Sequence, residues 1–320
     1  MSGKISYALP YMGSKRKLAS QILHLITSRH NGITDFYDLF GGGGSISFTA
    51  IKDYRFNVHY NELNSHIFHL VEYLKTHKEL EPKFYEWVTR EEFFRQYARE
   101  DADWYSGFVM SCWSFGNNSE KGYMYGKHLE DFKRLSHEFL VHGCLESMKK
   151  LGLNIPELNN IKDLYKRRIA FCDYMDANQK TLQYSEMVHL TMIQHLGYIQ
   201  NLQNLQNLQN LQNLQNLQNL QITNASYENV LISGNNPVIY CDIPYKGTEE
   251  YKEGGFDYEK FYDWFGNLEF PAYASEYSMP FPEVHAFTHR SLLSATNNKK
   301  KTIEKIFFNG KGNPNKTRLF

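Results

Sequence analysis

The stretch Asp35-Phe36-Tyr37-Asp38-Leu39-Phe40-Gly41-Gly42-Gly43-Gly44-Ser45 decides the fold. Its first six residues set rings and a leucine around two carboxylates, the pattern of a short strand. Four glycines follow, and an apolar run from Ile46 predicts a helix. Strand, glycine turn and helix is the opening of a doubly wound α/β sheet that binds nucleotide-like ligands at its first turn. Glycines there let the backbone take positive φ and let a ligand approach it closely. A dinucleotide fingerprint needs glycine at position 46, where Ile46 stands, and a phosphate loop needs Gly-Lys-Ser/Thr, which is missing. The turn therefore suits a ligand that is not held by phosphates.

Working outward, a second strand, Asn57-Val58-His59-Tyr60, ends at Asn61-Glu62-Leu63-Asn64, with a helix predicted over Ser65–Lys75. An acidic residue about twenty positions past the glycine turn is where such folds bind a ribose diol, and a carboxylate offers two acceptor oxygens. Upstream, Tyr11-Met12-Gly13-Ser14-Lys15-Arg16-Lys17 precedes an amphipathic helix over Leu18–Ser28. Backbone N–H groups of Gly13-Ser14 can receive an anion, and Lys15 adds charge. Far downstream, Val238-Ile239-Tyr240-Cys241 reads as a buried strand that stops at Asp242-Ile243-Pro244-Tyr245. A carboxylate at the carboxyl end of a strand sits where open α/β sheets bind ligands. Asp242 and the Ile243 carbonyl can accept from an amino group, Pro244 stiffens the turn, and Tyr245 offers a face on which a base can stack.

These four segments together resemble, in the same order, the Dam-type (D12 class) DNA adenine-N6 methyltransferases, over residues 7 to about 308. Asp242 to Tyr245 resembles the family's Asp/Asn-Pro-Pro-Tyr/Phe tetrapeptide, with Ile243 where the family has proline. The resemblance implies a Rossmann-like α/β sheet of the S-adenosylmethionine-dependent type, carrying an inserted, mainly helical target-recognition region. It implies a catalytic domain over 1–79 and 221–320, recognition over 80–200 and a connector over 201–221. Asp242, Ile243, Pro244 and Tyr245 would be catalytic. Tyr11, Gly13, Lys15, Asp38, Phe40, Gly41, Gly43, Ser45, Glu62, Leu63 and Asp242 would meet S-adenosylmethionine, as would Ser226 and Tyr227, which end a strand read over Ile222–Tyr227.

The middle of the chain is charged, aromatic and helical. The resemblance places DNA contacts there, at Asn117, Asn118 and the basic run Lys166-Arg167-Arg168, and again at Lys299 and Lys300 near a closing hairpin. Residues 201–221 are seven Asn-Leu-Gln triplets. Each period of three turns about 300° on a helix, so the leucines drift instead of forming one stripe. A turn-rich arc, a helix, a flexible spacer and a protein-binding arm are all open to the repeat.

Composition frames these readings. The 320 residues are 42% hydrophobic and carry zero formal net charge, so contact with DNA has to come from local basic patches. Four cysteines without a CxxC pair argue for no metal site and a reducing interior. The expected setting is the cytoplasm of a bacterium, or a phage-encoded enzyme, with duplex DNA as partner, no membrane, and a cognate restriction endonuclease beside it. A methyltransferase acting on RNA or a protein amide, and a silent DNA- or protein-binding module, are the competing readings.

Overall fold

A computed structural model describes residues 7–118, 122–178, 199–214, 217–246, 255–290 and 301–312. Among the described residues, seven strands form one sheet: β1 (Asp35–Asp38), β2 (Asn57–Asn61), β3 (Leu220–Thr223), β4 (Pro237–Asp242), β5 (Ala272–Glu276), β6 (Glu283–Arg290) and β7 (Lys301–Phe308). Their order is β3-β2-β1-β4-β5-β7-β6. The first five run parallel, while β7 is antiparallel to both β5 and β6. Parallel strands with covered faces need near-continuous apolar runs. β4 supplies one, buried from Pro237 to Cys241, and its proline stands at the first position, where no ladder donor is missed.

Strand order reverses at β1, whose neighbours are β2 and β4. Such a reversal opens a crevice at the strands' carboxyl ends. Asp38 is in register with Tyr60 on one side and Tyr240 on the other, so the first glycine turn and Asp242 reach the same edge. The helices α1 (Ala19–Arg29), α2 (Ser45–Asp53) and α3 (Ser65–Thr76) flank this half of the sheet. Asn64 caps α3 by accepting from the His66 and Ile67 amides at 3.0 and 3.3 Å.

Between α3 and β3 lie α4 (Arg90–Tyr97), α5 (Trp104–Cys112), α6 (Lys127–His142), α7 (Leu145–Lys150), α8 (Leu164–Ala177) and α9 (Gln200–Gln212). This mainly helical insertion shares one buried apolar cluster with the sheet, from Ile22 and Val58 through Phe108 and Phe139 to Leu205. A further helix, α10 (Tyr258–Asn267), follows the catalytic-strand candidate β4 and starts at an Asp257 cap.

Two expectations change. The strand read from Ile222 to Tyr227 is β3 at Leu220–Thr223, so the sheet begins inside the last triplet of the repeat. The repeat itself is mostly helix and core, which removes the arc and the flexible spacer for residues 200–212. Leu202, Leu205, Leu208 and Leu211 are each no more than 2% exposed. Three steps of about 60° sweep them through about half the circumference, and α3, α5 and α8 cover that arc. Drift defeats a single stripe only when a helix has a single neighbour. Burial extends to Asn201 and Asn204, which find partners: Asn201 bonds Tyr125 and His137, while Asn204 donates to the Cys112 carbonyl and Asn117. With its leucines inside, this helix has no apolar arm to offer.

Candidate active site

One wall of the crevice is the glycine turn. Gly44 caps α2 at φ 71°, a left-handed conformation that favours glycine. A Cβ on Gly41 would fall inside the Tyr60 ring, whose hydroxyl donates to the Gly42 carbonyl at 2.7 Å. Glu62 braces the turn from β2: its two carboxylate oxygens accept from the Gly42 amide at 2.6 Å and the Asn64 amide at 2.8 Å. Asn224, just past β3, donates to the carbonyls of Glu62 and Leu63, which fixes that corner. Leu63 projects outward, 58% exposed, as an apolar ledge beside a buried carboxylate. Phe40 stacks on Tyr227 at 5.3 Å, and Tyr227 meets Trp264 edge-on at 4.8 Å, forming the aromatic side of the crevice. Ser226 turns instead toward Glu228, at 3.3 Å.

The opposite wall carries Asp242. Lys15, from the segment ahead of α1, crosses the crevice and places its Nζ 2.8 Å from Asp242 Oδ1. The same ammonium lies 3.3 Å from Glu304 on β7 and 4.7 Å from the centre of the Tyr245 ring. Lys15 was expected to lend charge to an anion at Gly13-Ser14; it is instead clamped between two carboxylates. The Tyr245 hydroxyl donates to Glu304 and lies 3.5 Å from Asp242 Oδ1. Tyr277 packs edge-on against the Tyr245 ring at the mouth, 42% exposed. Glu276, at the end of β5, accepts from the Lys246 and Tyr277 amides and so holds both loops.

Burial and charge shape the titration of these groups. Desolvation raises the Asp242 carboxyl to about 6; Lys15 opposes that rise and Glu304 adds to it. Asp38 is raised to about 7, chiefly by burial, against hydrogen bonds from the Ser47 amide and hydroxyl. Burial pulls the Lys15 ammonium down, but Asp242 and Glu304 outweigh it, so its pKa ends above the ordinary value. Among the described residues, Ser14 Oγ and Asp38 Oδ1 are buried without a hydrogen-bond partner. Two such atoms beside a glycine turn fit a polar ligand, because buried polar groups otherwise go unsatisfied at a cost of about 1–3 kcal/mol.

Tyr11, Gly13, Lys15, Asp38, Phe40, Gly41, Gly43, Ser45, Glu62 and Leu63 belong to segments that gather at this edge. Tyr11 packs over Gly42 and Gly43, and Leu9 donates to the Gly43 carbonyl at 2.8 Å. Asn117 and Asn118 reach the same place from the insertion: the Asn117 carbonyl accepts from the Met12 amide at 3.1 Å, and Asn118 contacts the Met12 sulfur. The Asn117 side-chain oxygen is bonded by Gln200 and Asn204 of α9, so it serves packing within the chain. The basic run divides. Lys166 is exposed, whereas Arg167 donates to the carbonyls of Ile161 and Leu140, and Arg168 is 3% exposed with its guanidinium on Gln203. Arg168 is thus corrected from phosphate contact to buried brace. Lys299 and Lys300 fall outside the described residues.

Glu304 escaped the sequence reading, although a signal for it exists. Period-two alternation from Ile306 and Phe308 places residue 304 on the buried face, while Ile303 is 49% exposed. A carboxylate inward and an isoleucine outward reverses the usual strand pattern.

Among the described residues, no three His, Cys, Asp or Glu side chains are grouped to hold a metal, and no helix is long and apolar enough to cross a membrane. A comparison with curated proteins returned no match. A family model, D12 class N6 adenine-specific DNA methyltransferase, matches residues 11–268, a span containing the glycine turn, the Glu62 corner, the insertion and Asp242. On that match, which takes in well over half its length, the chain belongs to the D12 class N6 adenine-specific DNA methyltransferase family.

Proposed function

We propose that this enzyme transfers the methyl group of S-adenosylmethionine to the N6 amine of an adenine flipped out of duplex DNA, with Asp242 as the catalytic carboxylate. Family membership makes it a methyltransferase of DNA adenine and does not favour RNA or a protein amide. One observation carries the residue assignments: Lys15, beside the glycine turn, reaches Asp242 at 2.8 Å, so the two halves of the crevice lie within one side chain of each other.

The donor, when bound, supplies a methyl carbon on a cationic sulfur. Glu62 faces its ribose, Leu63 and the Phe40–Tyr227 pair flank its base, and Asp38, Ser14 and the turn from Gly41 to Ser45 face its amino-acid end. Tyr11 and Gly13 close over it. Across the crevice, Asp242 and the Ile243 carbonyl accept the two N6 hydrogens. That localises a lone pair otherwise delocalised into the ring and aims it at the methyl carbon. Positioning and fixed charge supply most of the acceleration. Ile243 keeps the carbonyl that proline would provide, and Pro244 keeps the turn rigid. Flipping costs a few kcal/mol, and stacking on Tyr245 returns roughly 1–3 kcal/mol.

Residues 80–200 act as the target-recognition region, with Lys166 on its surface and Lys299 and Lys300 as further phosphate contacts. A cytoplasmic setting and a cognate restriction endonuclease rest on the family resemblance alone. The decisive experiment is Asp242→Ala. Methylation of adenine in duplex DNA is lost while binding of a donor analogue stays within about threefold; full turnover in this variant removes the assignment.

A further inference from the structure

We infer that Asn117 is a positioning residue for methyl transfer: the repeat helix α9 holds its side chain and its backbone holds Met12, so that Lys15 is delivered to Asp242. The inference rests on the proposed role of Asp242. The segment that carries Lys15 runs between the glycine turn and the insertion and is tied to both. On the donor side the Leu9 amide donates to the Gly43 carbonyl at 2.8 Å. On the insertion side the Ser111 hydroxyl of α5 donates to the Pro10 carbonyl at 2.7 Å, and the Asn117 carbonyl accepts from the Met12 amide at 3.1 Å. Past Lys15 the chain enters a short helical turn, Lys15–Lys17, that leads into α1. Gly13, at φ 76° with open space where a side chain would stand, leaves the direction of the chain to its neighbours. The anchor at Met12 supplies that direction. The three steps from Met12 to Lys15 span at most about 11 Å, so a displacement at Met12 reaches the lysine.

The backbone of Asn117 supports this reading. At φ 55° it is, among the described residues, the one non-glycine in the left-handed region. That conformation costs about 1–2 kcal/mol for most side chains and is best tolerated by Asn and Asp. Strained backbones persist only where their surroundings over-determine them, and they gather at functional sites. Here the surroundings are amides of the repeat. Gln200 and Asn204 both donate to Asn117 Oδ1, at 3.2 and 3.0 Å. Asn204, 2% exposed, also donates to the Cys112 carbonyl at 2.7 Å, which pins α9 to the end of α5. The leucines of the repeat thus fill the core, while its amides fix the turn that carries the Met12 anchor.

Asn117→Gly keeps the left-handed backbone and removes the oxygen that α9 holds. Single-turnover methylation of duplex DNA by the full chain, at saturating donor, should slow by about tenfold, because small misplacements at a reacting centre are costly. The acid limb of its pH profile should also rise by about half a pH unit or more. Lys15 opposes the upward shift of the Asp242 carboxyl, and a cation that backs away leaves the charged form less favoured. The substitution alters none of the other groups that bear on Asp242: Asp38 from β1, Tyr240 and Cys241 from β4, Tyr245 from the turn after it, and Glu304 from β7 with Glu276 of β5 near it. A merely structural Asn117 would lower the melting temperature and leave the limb where it is. A limb at or below the wild-type pH, or a rate within twofold of wild type, overturns the inference. Should the glycine variant fail to fold, Gln200→Ala removes one of the two donors to Asn117: a limb moved upward supports the positioning role and an unmoved one overturns it. Wild-type activity in Asp242→Ala would instead sink the underlying assignment, so the two failures are distinct.

Discussion

Glu62→Gln tests how the donor corner is built. Glu62 is 8% exposed, and each carboxylate oxygen receives a backbone N–H, Gly42 at 2.6 Å and Asn64 at 2.8 Å. A ribose diol must therefore use the remaining lone pairs of an already engaged carboxylate. Glutamine has one acceptor oxygen, so its NH2 group must face either the Gly42 or the Asn64 amide. An orphaned buried donor costs about 1–3 kcal/mol, and a lost charge-assisted hydrogen bond to the ribose adds about 1.5–3 kcal/mol. The first cost falls on free and bound enzyme alike and lowers the melting temperature, by about 1–2 °C per kcal/mol for a chain of 320 residues. The second falls on binding alone, and at about 1.4 kcal/mol per decade it weakens the donor roughly 10- to 100-fold. Isothermal titration with a donor analogue and a thermal melt on the same preparation read the two separately. A dissociation constant within twofold of wild type, alongside a lowered melting temperature, would show Glu62 to be only a brace for the turn.

Two further outcomes follow from the geometry. Asp242 titrates near 6 because burial disfavours its charged form, and the protonated carboxyl has lost the charge that holds the amine. The single-turnover rate should then fall about tenfold per pH unit below that point; a rate held level down to pH 4 would place the active carboxylate elsewhere. Leu208→Ala, at a fully buried position of α9, should destabilise the fold by about 2–5 kcal/mol in chemical denaturation. A loss below 1 kcal/mol would mean the repeat helix is not core.

Most of the donor half was legible because its signals are local. β1, the glycines and the start of α2 are contiguous, and the twenty-residue spacing to Glu62 is set by one βαβ unit, which leaves little freedom. Asp242 was legible for a different reason: a β-branched strand that breaks at carboxylate and proline announces its own end. What sequence could not supply was lateral order at the far side of the sheet. Glu304 reaches Asp242 only because β7 inserts antiparallel beside β5, a pairing that no short motif encodes. Arg168 misled because a run of three basic residues on a helix points in three directions, and one of them is inward. The period-three repeat misled because a single-stripe test assumes one neighbour, whereas α9 packs against several, α3, α5 and α8 among them.

The identity of the triplets has a consequence for how α9 is anchored. From Asn201 to Gln212 the helix holds four copies of one triplet, with further copies beyond it. If the chain threads forward by three residues, every packing position receives the same side chain it lost: leucine replaces leucine, and an asparagine again meets His137. The interface is therefore degenerate in steps of one triplet, and its contacts alone do not fix which copy sits where. That choice is left to the ends, Ile199 before the helix and β3 after it, so the gain or loss of a copy would be felt at those junctions and not along the buried face.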